Sequence, residues 1–208
     1  MTDGPKRALL VIDVQREYVD GALPIAHPPL QQSLPNIVAA VEAAHGAQVP
    51  VVLVRHVDAA DSPVFAAGSR GAELHDTVAT AQHDLLLVKH AVSCFAGTRL
   101  AAWLEAHGVD TVTIAGFMTQ HCDESTARDA ADLGLAVVLL ADATGTLPLT
   151  TPSGTISARD LHERTLLVLA SGFASVTTTE SWVAAAEAHA PLPGPDLWAS
   201  AEPARRAG

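Results

Sequence analysis

The strongest constraint on this chain is the alternation of short apolar runs with segments whose apolar residues recur at helical spacing. Six runs read as strands, at about 8–12, 51–55, 85–88, 111–115, 136–140 and 174–177. Helix-compatible segments lie at about 34–47, 97–107, 119–133 and 158–171, with another at 180–189 after the last strand. Strand–helix alternation predicts a parallel sheet covered by helices. The runs LLLV and AVVLL are continuously apolar, as strands buried on both faces should be. In the second helical segment Leu100, Ala101, Leu104 and His107 form a stripe, and Gly108 follows as a stop; Gly134 ends the next segment the same way. The expected fold is therefore a three-layer α/β/α architecture with a six-stranded, mostly parallel, Rossmann-like sheet. One domain over residues 1–208 is expected, with a core of about 8–190 and a Pro/Ala-rich tail at 191–208. Two connections are long. Residues 56–84 contain only a short helix near 73–80, and 143–157 are rich in Thr, Gly and Pro. Loops of this length are usually binding loops or lids. The prolines of the tail predict a non-helical segment, with Trp198 as its apolar anchor.

Composition narrows the partners. With 12 Lys and Arg against 23 Asp and Glu, the formal charge is −11, which disfavours nucleic acid, whose binding draws on cations that neutralise phosphates. A small-molecule substrate is expected instead. No apolar run approaches the ~18 residues of a membrane span. MTDGPKR leads straight into ALLVI without the pattern of a secretory signal, so a cytoplasmic location is expected. Cys94 and Cys122 form no CxxC pair, which supports neither a disulfide framework nor a cysteine zinc site. GxGxxG, GxxxxGK[ST] and GxSxG are all missing, which weakens dinucleotide, P-loop and serine-hydrolase readings.

In an open parallel sheet, ligands bind beyond the carboxyl ends of the strands. The residues there are Asp13, His56, Lys89, the turn GFMTQHC and Asp142. An acid, a base, a cation and a thiol thus reach one edge. Cys122 falls where a helix begins, with Thr119 as a plausible N-cap, and a helix amino terminus lowers a thiol's pKa. Asp123 and Glu124, if they face the thiol, would raise it. The competing reading of Cys122 is a buried structural cysteine, a description that fits Cys94 better. For Asp13 the alternative is a turn cap. Lys89 is one of only two lysines beside ten arginines; it pairs with a buried acid or thiolate, or else extends to the surface. His56, His75, His83 and His90 match no standard zinc spacing.

Three segments, LLVIDVQREYVDGALP, VKHAVSCFAGTRLAAWL and TVTIAGFMTQHCDESTARDAADLGLAVVLLADAT, resemble the isochorismatase-like cysteine hydrolases, the superfamily of nicotinamidases and N-carbamoylsarcosine amidase. The resemblance runs from about residue 8 to 179. It implies the isochorismatase fold and an Asp-Lys-Cys triad at Asp13, Lys89 and Cys122, the positions topology already nominates. It also implies a cis peptide between Phe117 and Met118, and an oxyanion hole made by the N–H groups of Met118 and Cys122. Tyr18 takes the place of an aromatic residue lining the family's pocket, and Gln15 matches the motif as a residue orienting Asp13. Gln15, Tyr18, Phe65 and Phe117 are the expected substrate contacts. Ser69, Arg70 and His75 share the long loop with Phe65, with loop packing as their alternative role.

The chemistry implied is hydrolysis of a small amide or ureido C–N bond through a Cys122 thioester. No cofactor is expected. The nicotinamidase branch binds a metal with Asp-x-His after the second strand; this chain carries the reverse order, His56 and Asp58, so the reading is of an enzyme without a metal. Asp123 replaces the family's usual apolar residue after the nucleophile. A homo-oligomer, dimer or tetramer, is expected from the resemblance. Two alternatives are an isochorismate-type enol-ether hydrolase, which needs no cysteine at the nucleophile position, and a noncatalytic thiol sensor or binding module.

Overall fold

The computed structural model describes residues 4–207. Its strands are β1 (Arg7–Ile12), β2 (Val51–His56), β3 (Leu85–Lys89), β4 (Thr111–Phe117), β5 (Ala136–Gly145), β6 (Leu149–Thr151), β7 (Gly154–Ile156) and β8 (Ser175–Thr177). Its α-helices are α1 (Arg16–Val19), α2 (Leu30–Gly46), α3 (Asp76–Ala79), α4 (Leu100–Ala106), α5 (Glu124–Asp132), α6 (Ala158–Gly172), α7 (Thr179–Glu187) and α8 (Leu197–Ala207).

Six strands form one sheet in the order β3-β2-β1-β4-β5-β8, and every neighbouring pair is parallel. The expected α/β architecture is thus present. Successive side chains of a strand point to opposite faces, and β1 splits accordingly. Leu9 and Val11 pack with Ile37, Ala40 and Val41 of α2 and Trp182 of α7. Leu10 and Ile12 pack on the other face with Leu100 and Leu104 of α4, Ala127 of α5 and Leu169 of α6. Each fully buried aliphatic side chain contributes about 1.5–3 kcal/mol relative to exposure. Trp182 brings a polar group into its layer, and its Nε1–H is satisfied by Thr113 Oγ1 at 2.9 Å.

Helix α4 ends as its sequence indicates. Gly108 adopts a φ of +64° and Val109 N–H donates back to Leu104 O at 3.0 Å, a left-handed stop that suits glycine. Other boundaries differ from expectation. Helix α2 starts at Leu30 and runs through Pro35, because Ser33, Ile37, Ala40 and Ala44 give it a continuous buried face. β5 continues to Gly145, pairing Thr144 with Gly116 after a register shift in β4. The loop that follows folds into the antiparallel β6–β7 hairpin. The tail is helical too. Asp196 Oδ1 accepts from Ala199 N–H and opens α8 just after the last proline of the PLPGP run, and Pro203 is accommodated within it. Trp198 is 67% exposed, so it anchors nothing in the described chain.

β1 and β4 are adjacent, with the remaining strands added outward on both sides, so the sheet reverses its winding between them. This is where an open α/β sheet forms its crevice. Gly116 permits the close approach there. Its φ is +127°, and a Cβ at this position would lie 1.9 Å from Ile12 O.

Candidate active site

Asp13 directly follows β1, and its φ of +51° lies in the left-handed region that Asp and Asn tolerate better than most side chains. β3 ends in Lys89, and β2 lies between them. The Asp13 and Lys89 side chains are fully buried, and Lys89 Nζ stands 2.7 Å from Asp13 Oδ2. The same ammonium donates to Cys122 Sγ at 3.2 Å and to Ala91 O at 3.1 Å. Three residues separated widely in the chain thus share one buried ammonium.

Their electrostatics are coupled. Burial raises the Asp13 carboxyl above the usual carboxylate range, with Lys89 opposing that rise. Burial works against the Lys89 charge, yet Asp13 and Cys122 hold its pKa above the ordinary lysine value. Cys122 is pushed up by burial and then by Asp13, with Lys89 pulling the other way. Burial and Asp13 together favour the protonated thiol over the thiolate. This corrects the expectation of a thiol lowered by a helix amino terminus. Between Met118 and α5 the chain forms a π-turn, Thr119–Asp123, in which His121 and Asp123 N–H groups both point to Met118 O. Such turns recur at functional sites. Thr119 is not its cap; its hydroxyl meets His162 Nδ1 at 2.9 Å instead. The Phe117–Met118 peptide is cis.

Asp123 is fully buried and neither carboxyl oxygen has a partner among the described residues. Burial, followed by the charge of Asp13, raises its pKa well above the carboxylate range. A neutral acid exerts little of the like-charge repulsion that its sequence position suggests. Glu124 is drawn aside by Arg128, whose Nη2 lies 2.6 Å from Glu124 Oε1.

Gln15 does something other than orient Asp13. Its Nε2 donates to His56 O at 2.8 Å and Ala72 O at 2.9 Å, while Oε1 accepts from His56 N–H at 2.8 Å. Both amide hydrogens are spent on backbone, leaving none for a substrate. Gln15 ties the ends of β1 and β2 to the long loop. Tyr18 and Phe65 pack with ring centroids 5.0 Å apart, and Tyr18 meets the Phe117 edge at 6.1 Å. All three are buried and form an apolar wall. The other loop candidates serve the loop. Ser69 accepts from Ala72 N–H, His75 caps α3, and Arg70 pairs with Asp20 at the surface. Asp142 accepts from the N–H and hydroxyl of Thr179 and so starts α7. Cys94 is a buried thiol whose N–H donates to Thr126 Oγ1 at 3.1 Å.

The residues where the nicotinamidase branch holds its metal do not fit one here. His56 Nε2 is 3.0 Å from Asp58 Oδ1, and His56 Nδ1 faces the Lys89 ammonium at 3.4 Å. A tautomer with the proton on Nε2 satisfies both contacts. One ring nitrogen is thereby committed to Asp58, and the other confronts a cation. No cluster of three or more His, Cys, Asp or Glu suited to a metal occurs among the described residues.

His162 is the residue that sequence reading missed. It is buried in α6, 43 positions beyond Thr119, and its Nε2 donates to Ala141 O at 3.0 Å while Nδ1 accepts from the Thr119 hydroxyl. Burial lowers its pKa to about 4, so the ring is neutral and can accept. It fixes the turn that carries Cys122 against β5. No motif surrounds it, and only the fold brings it there.

Comparison with known proteins places the fold and the family. A crystal structure of an isochorismatase-family protein from Burkholderia xenovorans LB400 superposes with a TM-score of 0.96 at 47% identity, covering 99% of this chain and 100% of that one. The crystal structure of a cysteine hydrolase from Pseudomonas syringae pv. phaseolicola 1448A gives a TM-score of 0.82 at 27% identity, covering 88% and 93%. Nicotinamidase 3 of Arabidopsis thaliana is 32% identical over 180 residues, or 80% of this chain and 82% of that protein. Residues 7–181 match the isochorismatase domain family, and on that match, with the parallel sheet and the strand-end cluster, the chain belongs to the isochorismatase family of hydrolases.

Proposed function

We propose that this protein is a cysteine amidohydrolase that cleaves the C–N bond of a small amide or ureido compound without a metal. The observation that carries the reading is the Lys89 ammonium, 2.7 Å from the Asp13 carboxylate and 3.2 Å from the Cys122 thiol. Because burial and Asp13 keep the thiol protonated at rest, proton removal accompanies attack. Asp13 takes the thiol proton as Sγ adds to the substrate carbonyl. The carbonyl oxygen, now negative, is held by the N–H groups of Met118 and Cys122. Asp13 passes its proton to the leaving nitrogen, the C–N bond breaks, and an acyl thioester remains on Cys122. Water then gives a proton to Asp13 and adds to the thioester, releasing a carboxylic acid and restoring the thiol. Lys89 keeps a positive charge beside both reacting groups throughout. Tyr18, Phe65 and Phe117 shape the acyl pocket.

The relative named as a nicotinamidase supports the C–N assignment, and the structure named as a cysteine hydrolase supports a cysteine as the attacking group. The arrangement at His56 and Asp58 favours a substrate other than one anchored by a metal. The test is ammonia release from a panel of small primary amides and ureido compounds, beside Cys122→Ala. Release by wild type alone is expected. Equal release by the variant, or none by either protein, would overturn the reading.

A further inference from the structure

A cavity lies at the amino-terminal edge of the sheet, opposite the Cys122 cluster. Its volume is about 470 Å³, within the range of small-ligand sites, and its walls include Arg7 and Ser175 at strand starts, Phe173 after α6, and Leu192 and Gly194 of the tail. β1 spans Arg7–Ile12, so a strand length of about 20 Å separates this cavity from Asp13.

Arg7 distinguishes the cavity from a surface dent. It is 5% exposed, and its Nε–H has no acceptor among the described residues. One terminal nitrogen donates to Ala190 O. No carboxylate lies within ion-pairing distance of it among the described residues. Asp110 acts on it through charge, but the Asp110 Oδ1 atom accepts from Lys6 N–H at 3.0 Å and the Thr111 hydroxyl at 2.7 Å. Burial accordingly pulls the guanidinium pKa below its ordinary value. A buried cation without a counter-charge is costly, all the more noteworthy in a chain of net charge −11. Arg7 is among the residues that line the cavity, and a guanidinium is a fork for a carboxylate; the surrounding Phe173, Leu192 and Val138 suit an apolar body rather than a bare ion.

We propose that this cavity is a second ligand site, separate from the Cys122 cluster, that binds a small organic carboxylate with its head on Arg7 and its apolar body against Phe173 and Leu192. The assignment stands independently of the reaction proposed above. Calorimetric titration with benzoate, inorganic phosphate and neutral benzamide tests it. Saturable benzoate binding is expected, weakened about tenfold or more by loss of the charge in benzamide or of the apolar body in phosphate. Arg7→Met should weaken benzoate binding by about the same factor. Gly194→Trp keeps Arg7 and puts a large side chain on the cavity wall; a Cβ at Gly194 meets no atom within 4 Å, so this variant decides the matter if Arg7→Met does not fold. It too should lose benzoate. Unchanged benzoate binding by Gly194→Trp, equal binding of phosphate or benzamide, or no benzoate binding up to about 10 mM would overturn the proposal.

Discussion

Lys89 and Arg7 are the two buried cations among the described residues, and they sit at opposite ends of the same sheet. Lys89, at the carboxyl end of β3, meets a carboxylate, a thiol, a carbonyl and an imidazole nitrogen. Arg7, at the start of β1, has one carbonyl partner and an orphaned Nε–H. The Lys89 charge is compensated inside the chain, whereas the Arg7 charge has no carboxylate beside it among the described residues. The difference follows from geometry. Strand ends at the switch point converge polar residues from several loops, but the strand starts here present mostly apolar and backbone groups.

The sharpest test of the compensated end is chemical. Cys122→Ala is expected to lower turnover by about 10³-fold or more, while benzoate binding at the Arg7 end stays unchanged; steady-state assay and calorimetry on the same preparation check both. Stability then separates the two cations. Lys89→Met strands a buried carboxylate and is expected to cost about 3–5 kcal/mol, whereas Arg7→Met removes an unpaired charge and should stay within about 1 kcal/mol of wild type, both read from urea unfolding. Equal losses would erase the distinction.

His162 sharpens the comparison at the Lys89 end. His162→Phe withdraws the acceptor for Thr119 and the donor to Ala141, so the turn bearing Cys122 loosens; kcat should fall about tenfold with KM changed less than about twofold. The smallest effect is one of pH. The folded-state pKa of His162 is depressed from 6.5 to about 4, so between these values the unfolded chain binds the proton more readily. Its contribution to stability is full above pH 6.5 and is lost as pH falls through about 4. Urea midpoints measured from pH 7 to 4 should therefore decline less steeply in His162→Phe than in wild type.

Much of this was legible in the chain. The alternation of periods marked the strands, and the placement of Asp13, Lys89 and the GFMTQHC turn immediately after three of them was enough, under the rule for open parallel sheets, to nominate one edge. The boundaries that departed from expectation were those where packing overrode local chemistry. Pro35 stays inside α2 because the helix has a buried face to preserve, and β5 runs on past Leu140 because β4 continues beside it. Gln15 was legible as a motif position only through the family resemblance, and its real partners, His56 and Ala72, lie in distant segments.

The sequence by itself determined the layer architecture and the identity of the strand-end residues, because periodicity and strand-end position are local properties of a chain. The tertiary structure alone decided how far each group is desolvated and what it meets. It set Asp123 in the interior without a partner among the described residues, placed His162 behind the turn that carries Cys122, and left Arg7 buried beside a cavity. Burial and partnership are sums over contacts from remote parts of the chain, and no local pattern encodes them.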